Sequence, residues 1–473
     1  MIIGSQILDD GTLIISYYDA LGKIQTIKKK LPEHELFNWV ESNIRTQHKN
    51  WDGKFIKKKK ERGRYINQFR IQEIIKDKFT DAERAIIYNI DNFPKKVYLD
   101  IEIKLTDDSF PEPDKAAMPV GLISFCGDDN ITYVLSIMDN DEYPEGLKAS
   151  DIIRMESEIK DYFNSIVPLQ EKDAYLFKQD FKVKHKYFKT EKEMLTFFFH
   201  KLVPKFSFLT GWNFTGFDWK YLMNRAKNIK IDALKYMPSD SAFSKNKIPT
   251  HLGILDYMEV FQTVKPYKVV ENYKLDYIAS LVLNAHKLKH KYSSFFEFQK
   301  DAYLYTIYNV IDTLLVKLIE QRLSLLDVAF AMANVANVEI NKVYSPVYVT
   351  EILICREFLS RGLRMMKLPW NSEKPPTAKY KGAYVMPPIP GFYNYVTCYD
   401  FSSMYPNIQI QFNISPDSYL GKKGEIKTDG TEIYTKNDTY FNNKEDSAVR
   451  NILTDLYNKR VATQSQMKKL YGS

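Results

Sequence analysis

The chain is 473 residues long, enough for about three domains of roughly 150 residues each. Apolar residues make up 44% and charged residues 27%, which excludes a disordered chain; three cysteines (Cys126, Cys355, Cys398) without a CxxC pair argue against a disulfide framework or structural zinc. A formal charge of +8 is mildly basic and compatible with a polyanionic partner.

The N-terminal Met1–Ser5 lacks the basic start and apolar core of a signal peptide, and no run of about 18 apolar residues predicts a membrane span. Residues 1–97 open with short strands broken by turns: Thr12–Tyr17 after Asp9-Asp10-Gly11, and Lys23–Lys28 after Gly22. A lysine run, Lys57–Lys60, continues through Arg62 and Arg64; it reads as a solvated loop or face, or as an edge that contacts phosphates. Val97–Ile103 alternates acids with apolar residues, and Gly121–Phe125 and Ile131–Leu135 look like its partner strands. Helical periods follow at Glu191–Leu202, Trp219–Asn228 and Tyr303–Arg322, with a long run into Asn334. Strands followed by interleaved helices predict an α/β domain over about 98–327. A Pro-rich stretch from Pro369 to Pro390 precedes a further acid-bearing strand expected at Tyr395–Phe401.

Asp100 and Glu102 stand two apart on a predicted strand, so both side chains point to one face. Their mutual repulsion calls for water or a cation. Asn213 and Asp218 fall at the start of a helical segment, and Tyr308 and Asp312 are spaced i, i+4 on one helix face. Four carboxylates and a hydroxyl suffice to hold two divalent ions about 3.5–4 Å apart and to orient a water against a phosphodiester.

The order D-x-E, N-x3-F-D, Y-x3-D resembles the three exonuclease motifs of proofreading 3′→5′ exonucleases with a ribonuclease-H-like fold. Further on, Asp400-Phe401-Ser402-Ser403-Met404-Tyr405-Pro406-Asn407 resembles motif A (D-F-x-S-L-Y-P-S) of family B DNA polymerases, with Met404 and Asn407 as departures. The likeness is to replicative polymerases of T-even-like bacteriophages and spans the chain from about residue 95. It is supported by Gly211–Arg225, Ile254-Leu255-Asp256-Tyr257, Tyr344-Ser345-Pro346 and Lys381-Gly382-Ala383-Tyr384. The resemblance implies an α+β multi-domain architecture: an N-terminal domain (1–97, with a return segment 328–371), a 3′→5′ exonuclease domain (98–327), a partial palm with motif A (372–451) and the start of the fingers (452–473). It implies that Asp100, Glu102, Asp218 and Asp312 hold two Mg²⁺ (or Mn²⁺) ions in the exonuclease site, that Tyr308 orients the water, and that Asn213 and Phe217 contact DNA. Asp400 would bind the polymerising metals, the Ser402, Ser403, Met404 and Tyr405 backbone the triphosphate of a dNTP, and Arg460 on a fingers helix the same triphosphate. The Tyr405 ring would sit beneath the sugar and exclude a 2′-hydroxyl.

Two further family patterns, K-x3-N-S-x-Y-G and D-T-D, do not occur in the 473 residues; Asp438-Thr439-Tyr440 lacks the second acid, and Gln464 stands where a fingers lysine is expected. The expectation is therefore the N-terminal portion, split or truncated, of a replicative polymerase whose polymerisation needs a C-terminal chain, with primer–template DNA, single-stranded 3′ ends and, through that chain, a sliding clamp as partners. The alternatives are a stand-alone exonuclease with a vestigial palm and a non-catalytic DNA-binding subunit. A cytoplasmic location is expected, the host cytoplasm for a viral protein. Pro238–Thr250 occupies the place of a strand-separating hairpin of the phage polymerases and is shorter than expected for it.

Overall fold

Short alternating segments and glycine turns give the first strands their meander: β1 (Ile2–Ile7), β2 (Thr12–Tyr18) and β3 (Ile24–Lys30) pair antiparallel in that order. The computed structural model describes residues 1–473 except 89, 139–142, 237–247, 250, 367–383, 472 and 473. The expected hairpin at Pro238–Thr250 therefore lies, but for residues 248 and 249, outside the described residues. The lysine run lies on a strand: β6 (Phe55–Lys60) pairs with both β4 (Phe37–Glu41) and β5 (His48–Lys49).

The largest sheet holds β7 (Lys96–Ile103), β8 (Val120–Cys126), β9 (Ile131–Ser136), β10 (Lys182–Tyr187), β11 (Phe208–Thr210) and β12 (Gly253–Ile254), in the order β10-β9-β8-β7-β11-β12. β7, β8 and β9 run antiparallel as a meander, whereas β11 and β12 join β7 in parallel. This mixed α/β sheet matches the fold class expected from the motifs. β8 is buried at every residue because both faces of the sheet are covered. β7 alternates instead. Leu99, Ile101 and Ile103 enter a core with Met194, Phe198, Phe214, Trp219 and Leu222, and Tyr98, Asp100 and Glu102 project from the opposite face.

That opposite face is covered by the helix Ala302–Leu323, capped by Asp301, whose Oδ1 accepts from the Leu304 N–H at 3.0 Å. It ends at Ser324, which adopts a left-handed φ of 52°, and the chain resumes as the helix Leu325–Ala336. Among the described residues Ala302–Leu323 alone is long and apolar enough to cross a membrane, with a mean hydropathy of 1.3, and it is 94% buried within the protein. Near its C-terminal end the buried Glu320 is paired, accepting from Lys96 Nζ at 2.7 Å and from the Tyr257 hydroxyl at 2.9 Å. A helix apolar on all sides and buried is a core helix.

Residues 1–33 and 79–349 form one compact unit, and 34–78 and 350–473 a second, so the segment 1–97 is shared between them. In the second unit the guanidinium of Arg70 lies 3.9 Å from the Phe37 ring centroid and 2.9 Å from Glu73, which also accepts from Trp39 Nε1 at 2.8 Å. β13 (Tyr419–Lys422), β14 (Ile433–Thr435) and β15 (Thr439–Phe441) form a small antiparallel sheet, and Ala448–Tyr471 is the expected final helix. Asp438 sits in the turn between β14 and β15 with a φ of 57°. The strand expected at Tyr395–Phe401 is not formed; residues 384–401 carry no regular structure. Its apolar–acid alternation suits a strand, but a strand needs a neighbour to take its backbone hydrogen bonds, and none among the described residues pairs with it.

Candidate active site

Asp100 and Glu102 leave β7 towards the helix Ala302–Leu323, which returns Asp312; one carboxylate oxygen from each of the three lies within 4.8 Å of the others. The helix also supplies their support. Asn309 Nδ2 donates to Asp100 Oδ2 at 2.6 Å, and the Tyr305 hydroxyl donates to Glu102 Oε2 at 3.0 Å. Tyr305, Asn309 and Asp312 recur at i, i+4 and i+7, so one helical stripe carries all three, with Tyr308 beside it. Lys287, reached after the helix Leu275–Leu283, pairs with Asp312 and donates from Nζ to the Tyr308 hydroxyl at 3.0 Å.

Asp218 arrives by another route. β11 pairs with β7 only as far as Tyr98, so beyond that point the backbone of β7 is open on this side. Asp218, the first residue of the helix Asp218–Asn228, fills the gap: its Oδ1 accepts from the Ile101 N–H at 3.0 Å, between Asp100 and Glu102 in sequence. The loop that carries it is tightly seated. A Cβ at Gly211 would stand 2.3 Å from the Leu99 carbonyl oxygen, and one at Gly216 would stand 2.4 Å from Asn213 Oδ1. Asp256 fastens the same loop, accepting from the Thr215 N–H at 3.0 Å. Asp218 is thus tied to the β7 backbone beside the three-carboxylate group rather than within it.

Burial raises the pKa of all four acids. Asp100 is pushed up by burial and then by the charges of Asp218, Asp312 and Glu102. Glu102 is pushed up to about 7 by burial and by Asp312. Burial likewise raises Asp218, and it raises Asp312 against the opposing pull of Lys287. Lys287 itself, disfavoured by burial, is held protonated by Asp312, Tyr308 and Asp100. One cation therefore faces four acids, and the buried Oδ1 of Asp312 has no hydrogen-bond partner. An all-oxygen donor set with an unmet lone pair and uncompensated negative charge fits a hard divalent cation of the Mg²⁺ or Mn²⁺ class.

Beside the acids a cavity of about 440 Å³ is lined by Glu102 and Tyr305 and by the apolar Phe110, Phe217, Phe295 and Phe296. Phe217 lines this cavity with its ring 6.0 Å from that of Phe110. Asn213 is exposed, in a left-handed turn with a φ of 55°, and does not line this cavity.

In the second unit, the residues of the downstream motif gather at one helix start. Ser403 adopts a φ of 51° and precedes the helix Met404–Gln411, and Arg460 Nη1 donates to Ser403 Oγ at 3.0 Å. Asn407 Nδ2 closes the turn onto the Ser402 carbonyl at 2.9 Å. Pro406 is tolerated there because first-turn N–H groups have no helical partner. The open N–H groups of this turn and the Arg460 guanidinium together suit an anion. Asp400 and Tyr405 are exposed, Tyr405 at 71%.

These features agree with the comparisons. The exonuclease domain of DNA polymerase family B matches residues 87–278, and the DNA polymerase family B domain matches residues 309–472. The chain belongs to the family B DNA polymerases. It is 28% identical over 336 residues to the DNA-directed DNA polymerase of Escherichia phage RB69, covering 68% of this chain and 35% of that protein. Against the DNA-directed DNA polymerase of Enterobacteria phage T4 it is 24% identical over 335 residues, 68% of this chain and 36% of that one. The DNA polymerase delta catalytic subunit of Plasmodium falciparum is 26% identical over 265 residues, 50% of this chain and 24% of that protein. The chain thus spans about a third of the length of its phage relatives.

Sequence reasoning left Lys287, Tyr305 and Asn309 without a role. Asn309 and Tyr305 could have been found by extending the Tyr308/Asp312 spacing back along the helix. Lys287 sits in a run, His286-Lys287-Leu288-Lys289-His290, with no spacing that singles it out.

Proposed function

We propose that residues 98–327 form a two-metal 3′→5′ exonuclease, the proofreading site of a replicative DNA polymerase, acting on single-stranded 3′ ends. The observation that carries this reading is the convergence of Asp100, Glu102 and Asp312 within 4.8 Å, with Asp218 tied to the strand between the first two. Asp100, Glu102, Asp312 and Asp218 would hold the ions, Mg²⁺ or Mn²⁺. Bound there, two such ions supply polarisation of the phosphodiester and a more acidic water. The chain's own groups position the rest. Asn309 and Tyr305 fix the carboxylates of Asp100 and Glu102, and Lys287 donates to the Tyr308 hydroxyl, which would orient the attacking water. Phe217 and Phe110 wall the cavity in which a terminal nucleotide would lie. Water adds to the terminal phosphorus, the bond to the preceding 3′ oxygen breaks, that oxygen takes up a proton, and a nucleoside monophosphate leaves.

Asp400, the Ser402–Tyr405 turn and Arg460 are read as part of a polymerase nucleotide site for a dNTP opposite primer–template DNA. Extension also requires the lysine of K-x3-N-S-x-Y-G and the second acid of D-T-D, from residues beyond these 473, whether on a further stretch or on a separate chain that would also engage a sliding clamp. We assign residues 1–97 and 328–371 to an N-terminal domain, 372–451 to the palm and 452–473 to the fingers, and place the protein in the cytoplasm. The test is release of mononucleotides from a 3′-labelled single strand in Mg²⁺, with Asp100→Ala and Asp312→Ala as controls. Undiminished release by both variants would refute the assignment.

A further inference from the structure

Lys287 meets the buried acids from a segment with no regular structure of its own: residues 284–294 carry neither helix nor strand. Its four-carbon stem is flexible, so where the ammonium stands depends on where the backbone is held. The peptide group joining His286 to Lys287 is gripped at both ends. Its carbonyl accepts from the Tyr162 hydroxyl, and its N–H donates to Asp276 Oδ1 at 2.7 Å. The two side chains come from separate helices, Tyr162 from Ala149–Asn164 and Asp276 from Leu275–Leu283. A further bond joins the same two regions, Asn284 Nδ2 donating to the Val167 carbonyl at 3.0 Å.

The local fold sets up this grip. Asn284 ends the helix Leu275–Leu283 in a left-handed turn, with a φ of 57°, and sends the chain back to the first turn of the same helix, where Asp276 waits. Tyr162 is half-buried with its ring edge-on to Phe163 at 5.0 Å; burial raises its pKa to about 12, so the hydroxyl stays protonated and donates. From the gripped peptide the Lys287 side chain runs inward, where Nζ pairs with Asp312 and donates to the Tyr308 hydroxyl at 3.0 Å. Side-chain exposure falls along this path, from 52% at Asp276 to 30% at Lys287 and 2% at Asp312. The grip therefore lies at the rim and its consequence in the interior.

We propose that Tyr162 and Asp276 are positioning residues of the excision reaction: they hold the 286–287 peptide so that Lys287 reaches Asp312 and Tyr308 together. The proposal rests on the exonuclease reading above and extends it to two residues outside both the converging acids and the cavity lining. Asp276 brings a charge as well as an acceptor, and that charge also raises the Asp312 carboxyl, so the test must separate the two. A bond that only satisfied a loop carbonyl would leave Lys287 where it stands when removed; a grip on its peptide would not.

The test compares the full 473-residue chain with Tyr162→Phe, Asp276→Ala, the two combined, and Asp276→Asn, which keeps an acceptor oxygen and drops the charge. Single-turnover release from a single strand in Mg²⁺ should slow about fivefold in each of the first two and at least about twentyfold in the pair, since a misplacement of about 1 Å can cost about a hundredfold. Affinity for the same strand in EDTA should stay within about twofold, because the loss is in the reacting geometry and not in binding. Asp276→Asn should recover a rate within about twofold of wild type. A second readout needs no excision. Acylation by acetic anhydride, followed by mass spectrometry, should modify Lys287 about fivefold faster in the combined variant, because an ammonium displaced from Asp312 loses the partner that holds its proton. Lys289, exposed in the same segment, is the internal reference and should not change. Unchanged release or unchanged Lys287 reactivity in the combined variant would overturn the proposal, and so would Asp276→Asn as slow as Asp276→Ala, which would make the charge the cause. A wild type that releases no mononucleotide would refute the exonuclease reading instead, and Lys287 reactivity alone would then decide the grip. Circular dichroism checks the fold of each variant; where Asp276→Ala does not fold, Tyr162→Phe carries the test in both readouts.

Discussion

Asp100 and Asp400 stand in similar short contexts, Tyr98-Leu99-Asp100-Ile101 and Cys398-Tyr399-Asp400-Phe401. Asp100 lies on a strand with a neighbour on each side, and four groups converge on it or beside it. Asp400 is exposed on a segment without regular structure, although the turn that follows is fully built and receives Arg460. The difference is one of neighbours. β8 and β11 fix the height and rotation of β7, and the helix Ala302–Leu323 presses the third acid onto it. The 384–401 segment has the alternation without the partners. A motif names the chemistry; neighbours that take up the strand's hydrogen bonds give it geometry.

This contrast is broken most severely at the acids themselves. Asp312→Ala or Asp100→Ala should reduce excision of a single strand by at least about a hundredfold, because each removes a carboxylate from a shared metal site. Single-turnover release of mononucleotide measures it, and circular dichroism should show the fold retained.

The next effect is on stability. Lys287→Met leaves Asp312 without its cation, and in EDTA the unfolding free energy should fall by about 2 kcal/mol. This is below the range for a fully buried pair because the Lys287 side chain is 30% exposed. Denaturant unfolding with and without Mg²⁺ checks it: a bound ion restores the missing charge, so the deficit should narrow when Mg²⁺ is added.

The pH dependence follows from the raised carboxyls. Glu102 binds its proton up to about 7 in the folded state, against an ordinary carboxyl value of 4.5. Between those values the folded chain holds more protons than the unfolded one, so this group's contribution is favourable at low pH and is lost as pH rises through about 7. Metal-free wild type should therefore lose more stability between about pH 5 and about pH 7.5 than Glu102→Gln, and Mg²⁺ should flatten the wild-type curve. Parallel curves for the two proteins in EDTA would remove Glu102 from the account.

Smaller still, Tyr308→Phe should slow excision by about tenfold, since it removes an orienting hydroxyl and leaves the carboxylates in place. At the far end, Asp400→Ala should leave excision unchanged, because every acid of the exonuclease cluster lies within residues 79–349.

Much of this was legible in the residues. The alternation at Val97–Ile103, the i, i+4 pair on the long helix and the apolar partner strands set the sheet, the covering helix and three of the converging acids, because periods of 2 and 3.6 are local properties. What depended on tertiary contact was not. Lys287 approaches Asp312 from a segment with no recognisable period, and Asp218 reaches the Ile101 N–H because β11 stops short. The missing strand at Tyr395–Phe401 has the same origin, since alternation specifies which face is apolar and not whether a neighbour exists. The Lys57–Lys60 run could be read as a loop or a face; only pairing with β4 and β5 sorts its lysines onto opposite sides.

The central claim is that Asp100, Glu102, Asp218 and Asp312 together hold two adjacent divalent ions. Electron paramagnetic resonance of the chain titrated with Mn²⁺ tests it most directly. The account expects about two ions per chain with spin coupling between neighbours about 3.5–4 Å apart, and loss of the coupled signal in Asp312→Ala. One uncoupled ion in the wild type, or wild-type coupling retained in Asp312→Ala, would contradict it.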